Sequence, residues 1–171
     1  MAFAALGALA FVASVQLPPG WRSICLVVAA VTMQARLVCN LLDGMVAIEG
    51  GRGRADGPFW NEAPDRLSDL AFLVGAGFAA QDVTIGWIAT ALAFLVAYLR
   101  ELGRAEGFRP DYVGPMAKQH RMATLTVGSL LAAVSPVSTP ILAMTLWLIV
   151  AGCAVTAFRR SLRLIRNLKS R

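Results

Sequence analysis

Six apolar segments, separated by short polar connections, constrain this chain more than any other feature. The segments are residues 1–17, 22–47, 66–81, 83–103, 120–135 and 139–158. The better ones approach the roughly 20 residues that an α-helix needs to cross the hydrocarbon core of a bilayer. Hydrophobic residues make up 57% of the 171 positions, which is too many for a soluble domain of this size. We therefore predict an all-α polytopic membrane protein with six transmembrane helices over residues 1–158 and a basic cytoplasmic tail at 159–171.

Positive charge is concentrated in alternate connections and in the tail. The 48–64 connection, the stretch 100–121 and the tail are rich in arginine and lysine, whereas the other connections hold only Arg22. Such asymmetry marks the cytoplasmic side of a membrane protein, so we interpret the net charge of +6 as a topology signal, with no nucleic-acid partner. It predicts cytoplasmic termini and a bacterial-type inner (cytoplasmic) membrane location. The tail either lies on anionic lipid as an amphipathic helix or is a solvated topology signal.

The second apolar segment carries polar residues where a bilayer penalises them. A carboxylate near the bilayer core costs a few kcal/mol even on the mildest insertion scale. If this segment is a helix, residues spaced by four, three and four positions share one of its faces. These residues are Arg36, Asn40, Asp43 and Ala47. Asp43 therefore needs either a structural reason or a function near the cytoplasmic end of this segment.

A second acidic stripe begins the third segment. Asp65 and Asp69 are four residues apart, and Glu62 precedes them by one turn. Two antiparallel neighbours joined by a cytoplasmic loop would bring both stripes to one depth, where clustered oxygens suit a hard divalent cation. The alternative is that Asp65 and Asp69 favour a helix N-terminus through its dipole, with Arg66 as an ion-pair partner.

These residues resemble the pattern of the CDP-alcohol phosphotransferase family. That pattern is D-x-x-D-G-x-x-A-R, eight residues, and then G-x-x-x-D-x-x-x-D. The positions that match it in order are Asp43, Gly44, Ala47, Asp65 and Asp69. The chain departs from the pattern at three positions, since Asn40, Ile48 and Asn61 replace its first aspartate, its arginine and its second-half glycine. Four extra residues also separate the two halves.

The resemblance implies a six-helix membrane enzyme, usually a homodimer, with this motif at the cytoplasmic ends of the second and third helices. It implies Mg²⁺, or Mn²⁺, as cofactor, with the candidate ligands Asn40, Asp43, Asp65 and Asp69. It implies a nucleotide site, with the candidate residues Asn40, Asp43, Gly44, Ala47, Arg52 and Arg54. The last two arginines lie on the longer loop and would replace the missing arginine of the pattern.

The stretch 98–123 resembles the corresponding region of phosphatidylglycerophosphate synthases. It holds two basic pairs at the cytoplasmic boundary, which make a candidate site for an acceptor's phosphate. The pairs are Arg100 with Arg104, and Lys118 with Arg121. The alternative is that these residues only flank the helices on the cytoplasmic side.

The reaction implied by the resemblance is transfer of a phosphatidyl group from CDP-diacylglycerol to a small alcohol acceptor, with release of CMP. Asp69 matches the last aspartate of the pattern, so its expected role is that of general base. Three alternatives remain open: a non-catalytic family member that binds lipid nucleotide or a partner protein, an ion or proton transporter, and a purely structural membrane subunit.

The charge asymmetry makes one prediction that is independent of the chemistry. A cysteine placed within 48–64 should not react with an impermeant thiol reagent applied from the periplasmic side, because this connection is expected to face the cytoplasm. Labelling from that side would contradict the topology.

Overall fold

The computed structural model describes residues 1–49 and 56–170, with the side chains of all of these except Pro19, residues 43–49, Pro58 and Asn61. Within those ranges every regular element is a helix. The helices are α1 (Ala2–Gln16), α2 (Pro19–Glu49), α3 (Gly57–Ala79), α4 (Val83–Ala105), α5 (Lys118–Val134) and α6 (Ser138–Lys169). The predicted all-α class with six helices is thereby confirmed.

Three helices in the described part of the chain are long and apolar enough to cross a membrane, judged by length and composition. They are Gly20–Leu42 within α2, Val83–Ala105 and Ser138–Lys169. α1 is apolar but has only 15 residues, and α5 has only 17. α3 has 23 residues, but its first half carries charged groups. That all six helices cross the membrane therefore stays a prediction.

Two helices extend well beyond the apolar segments that indicate them. α3 begins at Gly57, nine positions before the apolar run that starts at residue 66, and it includes Pro64. α6 continues past residue 158 to Lys169, so no helix end marks the predicted boundary between domain and tail. Hydropathy detects only the apolar part of a helix, whereas backbone hydrogen bonding continues through its charged ends.

The helices pack as a closed ring. Around the ring the order is α1, α2, α5, α6, α4 and α3, with α3 again against α1. The interior is filled by fully buried side chains, among them Phe11, Leu26, Phe72, Leu125 and Leu146. α3 and α5 are not neighbours in this ring, so side chains that join them must reach across its interior.

Arg22 joins three helices at the end of the ring opposite to Asp65 and Asp69. Its guanidinium donates to the backbone carbonyl of Ala79, at 3.2 Å, and to the hydroxyl of Thr139, at 2.9 Å. These contacts join the start of α2 to the end of α3 and the start of α6. Arg22, the only basic residue in the connections predicted to face away from the cytoplasm, thus has a structural role.

Small residues allow α3 and α4 to approach closely. A Cβ on Gly86 would lie 2.8 Å from the carbonyl oxygen of Leu73 and 3.2 Å from the Cα of Gly77. Both of these are backbone atoms, so no side-chain rotation can make room. Close backbone approach at small residues is a common basis of helix association in membranes.

Gly86→Ala should therefore destabilise the protein, because overpacking a close helix contact costs about 1–3 kcal/mol. We expect the thermal unfolding midpoint of the purified protein in detergent to fall by several degrees. Gly103→Ala in the same helix is the matched control, since its added Cβ would meet only Leu164 Cδ1 at 3.7 Å. Equal midpoints for the two variants would show that the contact is not limiting.

Candidate active site

Asp65 lies where α2, α3 and α5 meet at one end of the ring. Its Oδ1 accepts from Arg36 Nη2 at 3.0 Å and from Asn40 Nδ2 at 2.6 Å. Its Oδ2 forms an ion pair with the ammonium of Lys118. The structure thus brings together the two polar stripes of α2 and α3 and adds a cation from α5.

We call the described acids of α3, which are Glu62, Asp65 and Asp69, the acidic cluster. Asp69 is the most buried of the three. Its side chain is 1% exposed, and Oδ2 accepts from Arg121 Nη2 at 2.7 Å. Arg121 is equally buried and also donates to the carbonyl oxygen of Met116, at 3.3 Å. Oδ1 of Asp69 is buried without a hydrogen-bond partner among the described residues. A buried carboxylate oxygen with no donor is an acceptor available to a ligand.

The helix-dipole explanation for these two aspartates is wrong. α3 begins at Gly57, so Asp65 lies about two turns inside the helix and Asp69 one turn further. The dipole acts within the first turn of a helix. The proposed role of Arg66 as an ion-pair partner is confirmed, since its guanidinium lies 3.6 Å from both Asp69 and Glu62.

The basic pair at the end of α4 is divided between the site and the solvent. Arg100 turns inward, where it pairs with Glu62 and donates from Nε to Glu101 at 2.9 Å. Its guanidinium also lies 5.7 Å from the centre of the Tyr112 ring. Arg104 is 56% exposed and is 3.7 Å from Glu101. Only Arg100 of this pair therefore borders the acidic cluster.

A cavity of about 470 Å³ opens beside Arg100, between α4, α6 and the connection that joins α4 to α5. We call it the basic cavity, and its charged and polar lining residues are Arg100, Arg109, Asp111, Tyr112, Arg160, Arg163 and Asn167. The connection is fixed over α6, because Arg160 donates to the carbonyl oxygens of Val96, at 2.8 Å, and Val113, at 3.0 Å. Arg163 in turn pairs with Asp111 at 3.3 Å.

Arg160 and Arg163 are cavity residues that the sequence pattern does not predict. They fall in the predicted tail, because a basic segment after the last apolar run is typical of a topology signal. Their spacing is nonetheless informative, since Arg160, Arg163 and Asn167 lie three and four residues apart, on one face of a helix. That face lines the basic cavity.

Two further cavities meet at Lys118. The inner cavity, of about 90 Å³, shares Arg100, Tyr112 and Arg160 with the basic cavity and reaches Lys118 and Arg121. The α2–α5 cavity, of about 460 Å³, is lined by Leu37, Val38, Asn40, Leu41, Lys118 and Gln119. Lys118 therefore separates a mainly apolar cavity from a basic one. Burial lowers the pKa of its ammonium below the usual value, although the ion pair with Asp65 acts in the opposite direction.

The described side chains contain no cluster of three acids, histidines or cysteines that would hold a metal ion. Asp65 and Asp69 belong to the predicted ligand set, while the side chains of Asp43, Gly44 and Ala47 lie outside the described part. Arg52 and Arg54 also lie outside the described residues. The described members of the ligand set, which are Asn40, Asp65 and Asp69, offer the carboxylate and amide oxygens that a hard divalent cation prefers. Oδ1 of Asp69 has no partner among the described residues.

The fold is that of a known phospholipid-synthesising enzyme. A crystal structure of Mycobacterium tuberculosis phosphatidylinositol phosphate synthase with CDP-DAG bound is 24% identical and superposes with a TM-score of 0.70, over 95% of this chain and 84% of that chain. A structure of the same enzyme in complex with manganese and citrate is 23% identical, with a TM-score of 0.71 over 94% of this chain and 79% of that chain. The chain has the fold of a phosphatidylinositol phosphate synthase.

The six-helix fold expected from the sequence resemblance is thus shared with a solved phosphatidylinositol phosphate synthase. Both solved structures are of a phosphatidylinositol phosphate synthase, whereas the stretch 98–123 resembles phosphatidylglycerophosphate synthases. No protein-family model matches the chain, and no curated protein sequence matches it.

The contact between Asn40 and Asp65 leads to a prediction. Asn40→Asp would replace the amide donor by a carboxylate facing Asp65 Oδ1, and two close carboxylates repel each other. In the presence of a chelator, we expect the Asn40→Asp variant to have a lower thermal unfolding midpoint than the unmodified protein. We also expect a larger rise on adding Mn²⁺, since a ligand that binds only the folded state stabilises it.

Asn167→Asp is the control for this experiment, because it makes the same chemical change in the basic cavity, away from Asp65. It should leave the response to Mn²⁺ unchanged. An Asn40→Asp protein with the unmodified protein's midpoint and the same Mn²⁺ response would show that residue 40 does not border a cation site.

Proposed function

We propose that this chain is a metal-dependent CDP-alcohol phosphatidyltransferase that acts on CDP-diacylglycerol and a small, phosphate-bearing alcohol and releases CMP. The observation that carries the proposal is an excess of cations around the acidic cluster. Among the described ion pairs at this end, the four acids Glu62, Asp65, Asp69 and Glu101 are met by six cations, which are Arg36, Arg66, Arg100, Arg104, Lys118 and Arg121. A site of this charge at one end of an apolar ring suits a polyanionic substrate with a lipid tail.

The α2–α5 cavity supports a place for the donor. Its apolar lining of Leu37, Val38 and Leu41 suits the part of a lipid next to the headgroup, and Asn40 and Lys118 stand at its polar side. The solved structure with this fold holds CDP-DAG. We propose that the diphosphate and the cytidine lie along the end of α2, against the proposed nucleotide residues Asn40, Asp43, Gly44, Ala47, Arg52 and Arg54.

Asn40, Asp43, Asp65 and Asp69 are the proposed ligands of a divalent cation, Mg²⁺ or Mn²⁺. Manganese is present in the second structure that shares this fold. Such a cation would neutralise the donor's diphosphate and the charge that develops on departing CMP. Asn40 supplies a carbonyl oxygen in place of the carboxylate of the family pattern, so the ligand set carries one negative charge fewer.

Asp69 is the proposed general base, and its two oxygens have different roles. Oδ2 is bound to Arg121, which holds the carboxylate in place, while Oδ1 is without a partner among the described residues. The acceptor's hydroxyl oxygen forms a bond to the β-phosphorus, the bond from that phosphorus to CMP breaks, and the hydroxyl proton passes to Oδ1 of Asp69. Because Arg121 is buried against Asp69, we assign it this positioning role instead of direct contact with the acceptor's phosphate.

The basic cavity supports a phosphate-bearing acceptor. Arg100, Arg104 and Lys118 are the proposed phosphate-binding residues, and the cavity adds Arg109 and Arg163. The basic cavity is lined by four arginines and a single acid, Asp111, so a glycerol phosphate or an inositol phosphate matches its charge better than a neutral alcohol does. We further propose that the protein is integral to the cytoplasmic membrane, that this end of the ring faces the cytoplasm, and that two copies form a homodimer.

One observation favours a second candidate, a family member that binds lipid nucleotide without turnover. Asn40 uses its amide to donate to Asp65, and the departure from the pattern at this position removes a carboxylate. Release of CMP from CDP-diacylglycerol decides between the two. The assay uses purified protein, Mg²⁺ or Mn²⁺, and single acceptors with and without a phosphate group. CMP release with a phosphate-bearing acceptor supports the enzyme, and binding of donor without any release supports the second candidate.

Asp69→Asn should lower turnover by about two to four orders of magnitude, the usual scale for loss of a general base. Donor binding should weaken much less, because the amide keeps the shape and one oxygen of the side chain. Asp82→Asn is the matched control: Asp82 caps α4 through Ile85 N, at 3.2 Å, and asparagine keeps an acceptor there. Near-normal turnover in Asp69→Asn would assign the base to another group, with Glu62 the next candidate.

A further inference from the structure

Among the described cations of the site, Lys118 alone lines both the inner cavity and the α2–α5 cavity. It is the first residue of α5, and its ammonium is bound to Asp65 Oδ2. One side chain thus stands between the proposed places of the donor and the acceptor. Its contact with Asp65 also crosses the ring from α5 to α3.

Arg121, one turn further along α5, shows the contrast. Its side chain is 1% exposed and is held by both Asp69 and the carbonyl oxygen of Met116. The Lys118 side chain is 21% exposed. A lysine is a point charge on a flexible four-carbon stem, whereas an arginine fork is fixed by its several donors. Exchanging its partner should therefore cost Lys118 less free energy than it would cost Arg121.

The oxygen that Lys118 holds is one that a bound divalent cation would need. Asp65 is a proposed ligand, and an ammonium on Oδ2 would stand within a few ångströms of a cation bound to the same carboxylate. Like charges at such a distance repel strongly wherever water does not screen them. Cation and ammonium cannot both occupy Asp65 Oδ2.

We propose that Lys118 is an exchangeable counter-ion, which rests on Asp65 and moves to the acceptor's phosphate when a divalent cation takes its place. This rests on the proposed function. It makes the divalent cation and the phosphate-bearing acceptor bind cooperatively, because each favours the arrangement of Lys118 that the other needs. The inner cavity supplies the path, since Lys118 already borders it together with Arg100 and Arg160.

The test measures Mn²⁺ binding to the purified protein in detergent by electron paramagnetic resonance, with and without inorganic phosphate. A protein-free titration corrects for Mn²⁺ that phosphate binds in solution. For the unmodified protein we expect phosphate to tighten Mn²⁺ binding several-fold. Lys118→Gln removes the competing ammonium, so it should bind Mn²⁺ about tenfold more tightly without phosphate, and phosphate should then make no difference.

Lys169→Gln is the matched control, because it makes the same substitution at an exposed lysine in the last turn of α6 that lines none of the three cavities. It should behave as the unmodified protein does. Lys118→Arg keeps the charge and should retain the competition, and Lys118→Met is a second neutral variant if Lys118→Gln does not fold. Equal effects of Lys118→Gln and Lys169→Gln, or weaker Mn²⁺ binding in Lys118→Gln, would overturn the exchange.

Failure of this inference is distinguishable from failure of the proposed function. If the unmodified protein binds Mn²⁺ and releases CMP, but phosphate leaves Mn²⁺ affinity unchanged, the exchange is wrong and the enzyme stands. If the protein neither binds Mn²⁺ nor releases CMP with any acceptor, both are wrong.

Discussion

Two ion pairs that cross the helix ring govern the arrangement of this end of the molecule. α3 and α5 are not neighbours in the ring, yet Lys118 meets Asp65 and Arg121 meets Asp69. Removing one partner of a buried pair leaves an uncompensated charge and costs about 3–5 kcal/mol. Asp65 and Asp69 therefore depend on α5 for part of their charge balance, beside Arg36 of α2 and Arg66 of α3.

The rest of the ring explains why all this chemistry lies at one end. Along most of their length the helices meet through apolar and small side chains, as where Gly86 approaches Leu73 and Gly77, which leaves no room for a polar substrate. At the far end Arg22 is used up in binding the ends of α3 and α6. The described charged side chains other than Arg22 and Asp82 thus lie at the opposite end, where the basic cavity, the inner cavity and the α2–α5 cavity open.

Much of this arrangement is predictable from sequence because it is periodic. The helix repeat places Asn40 and Asp65 on polar stripes, and antiparallel neighbours bring those stripes together. What local sequence does not contain is the register between distant elements. Nothing in the spacing of Lys118 and Arg121 shows that one would reach Asp65 and the other would be buried against Asp69. The role of Arg160 also depends on α6 continuing as a helix beyond its apolar part.

The departure at Asn40 has a physical consequence for the whole site. An aspartate there would bring the acids near balance with the surrounding cations, while asparagine leaves the described cluster with an excess of positive charge. Its amide also binds Asp65 Oδ1 alongside Arg36, so two donors from α2 hold one oxygen and the other stays with Lys118. In the proposed enzyme, a weaker hold on a divalent cation would thereby be combined with a stronger attraction for phosphate. The balance between cation and substrate would then depend on the proposed exchange of Lys118, because Arg121, the other cation through which α5 pairs with α3, is fixed by burial.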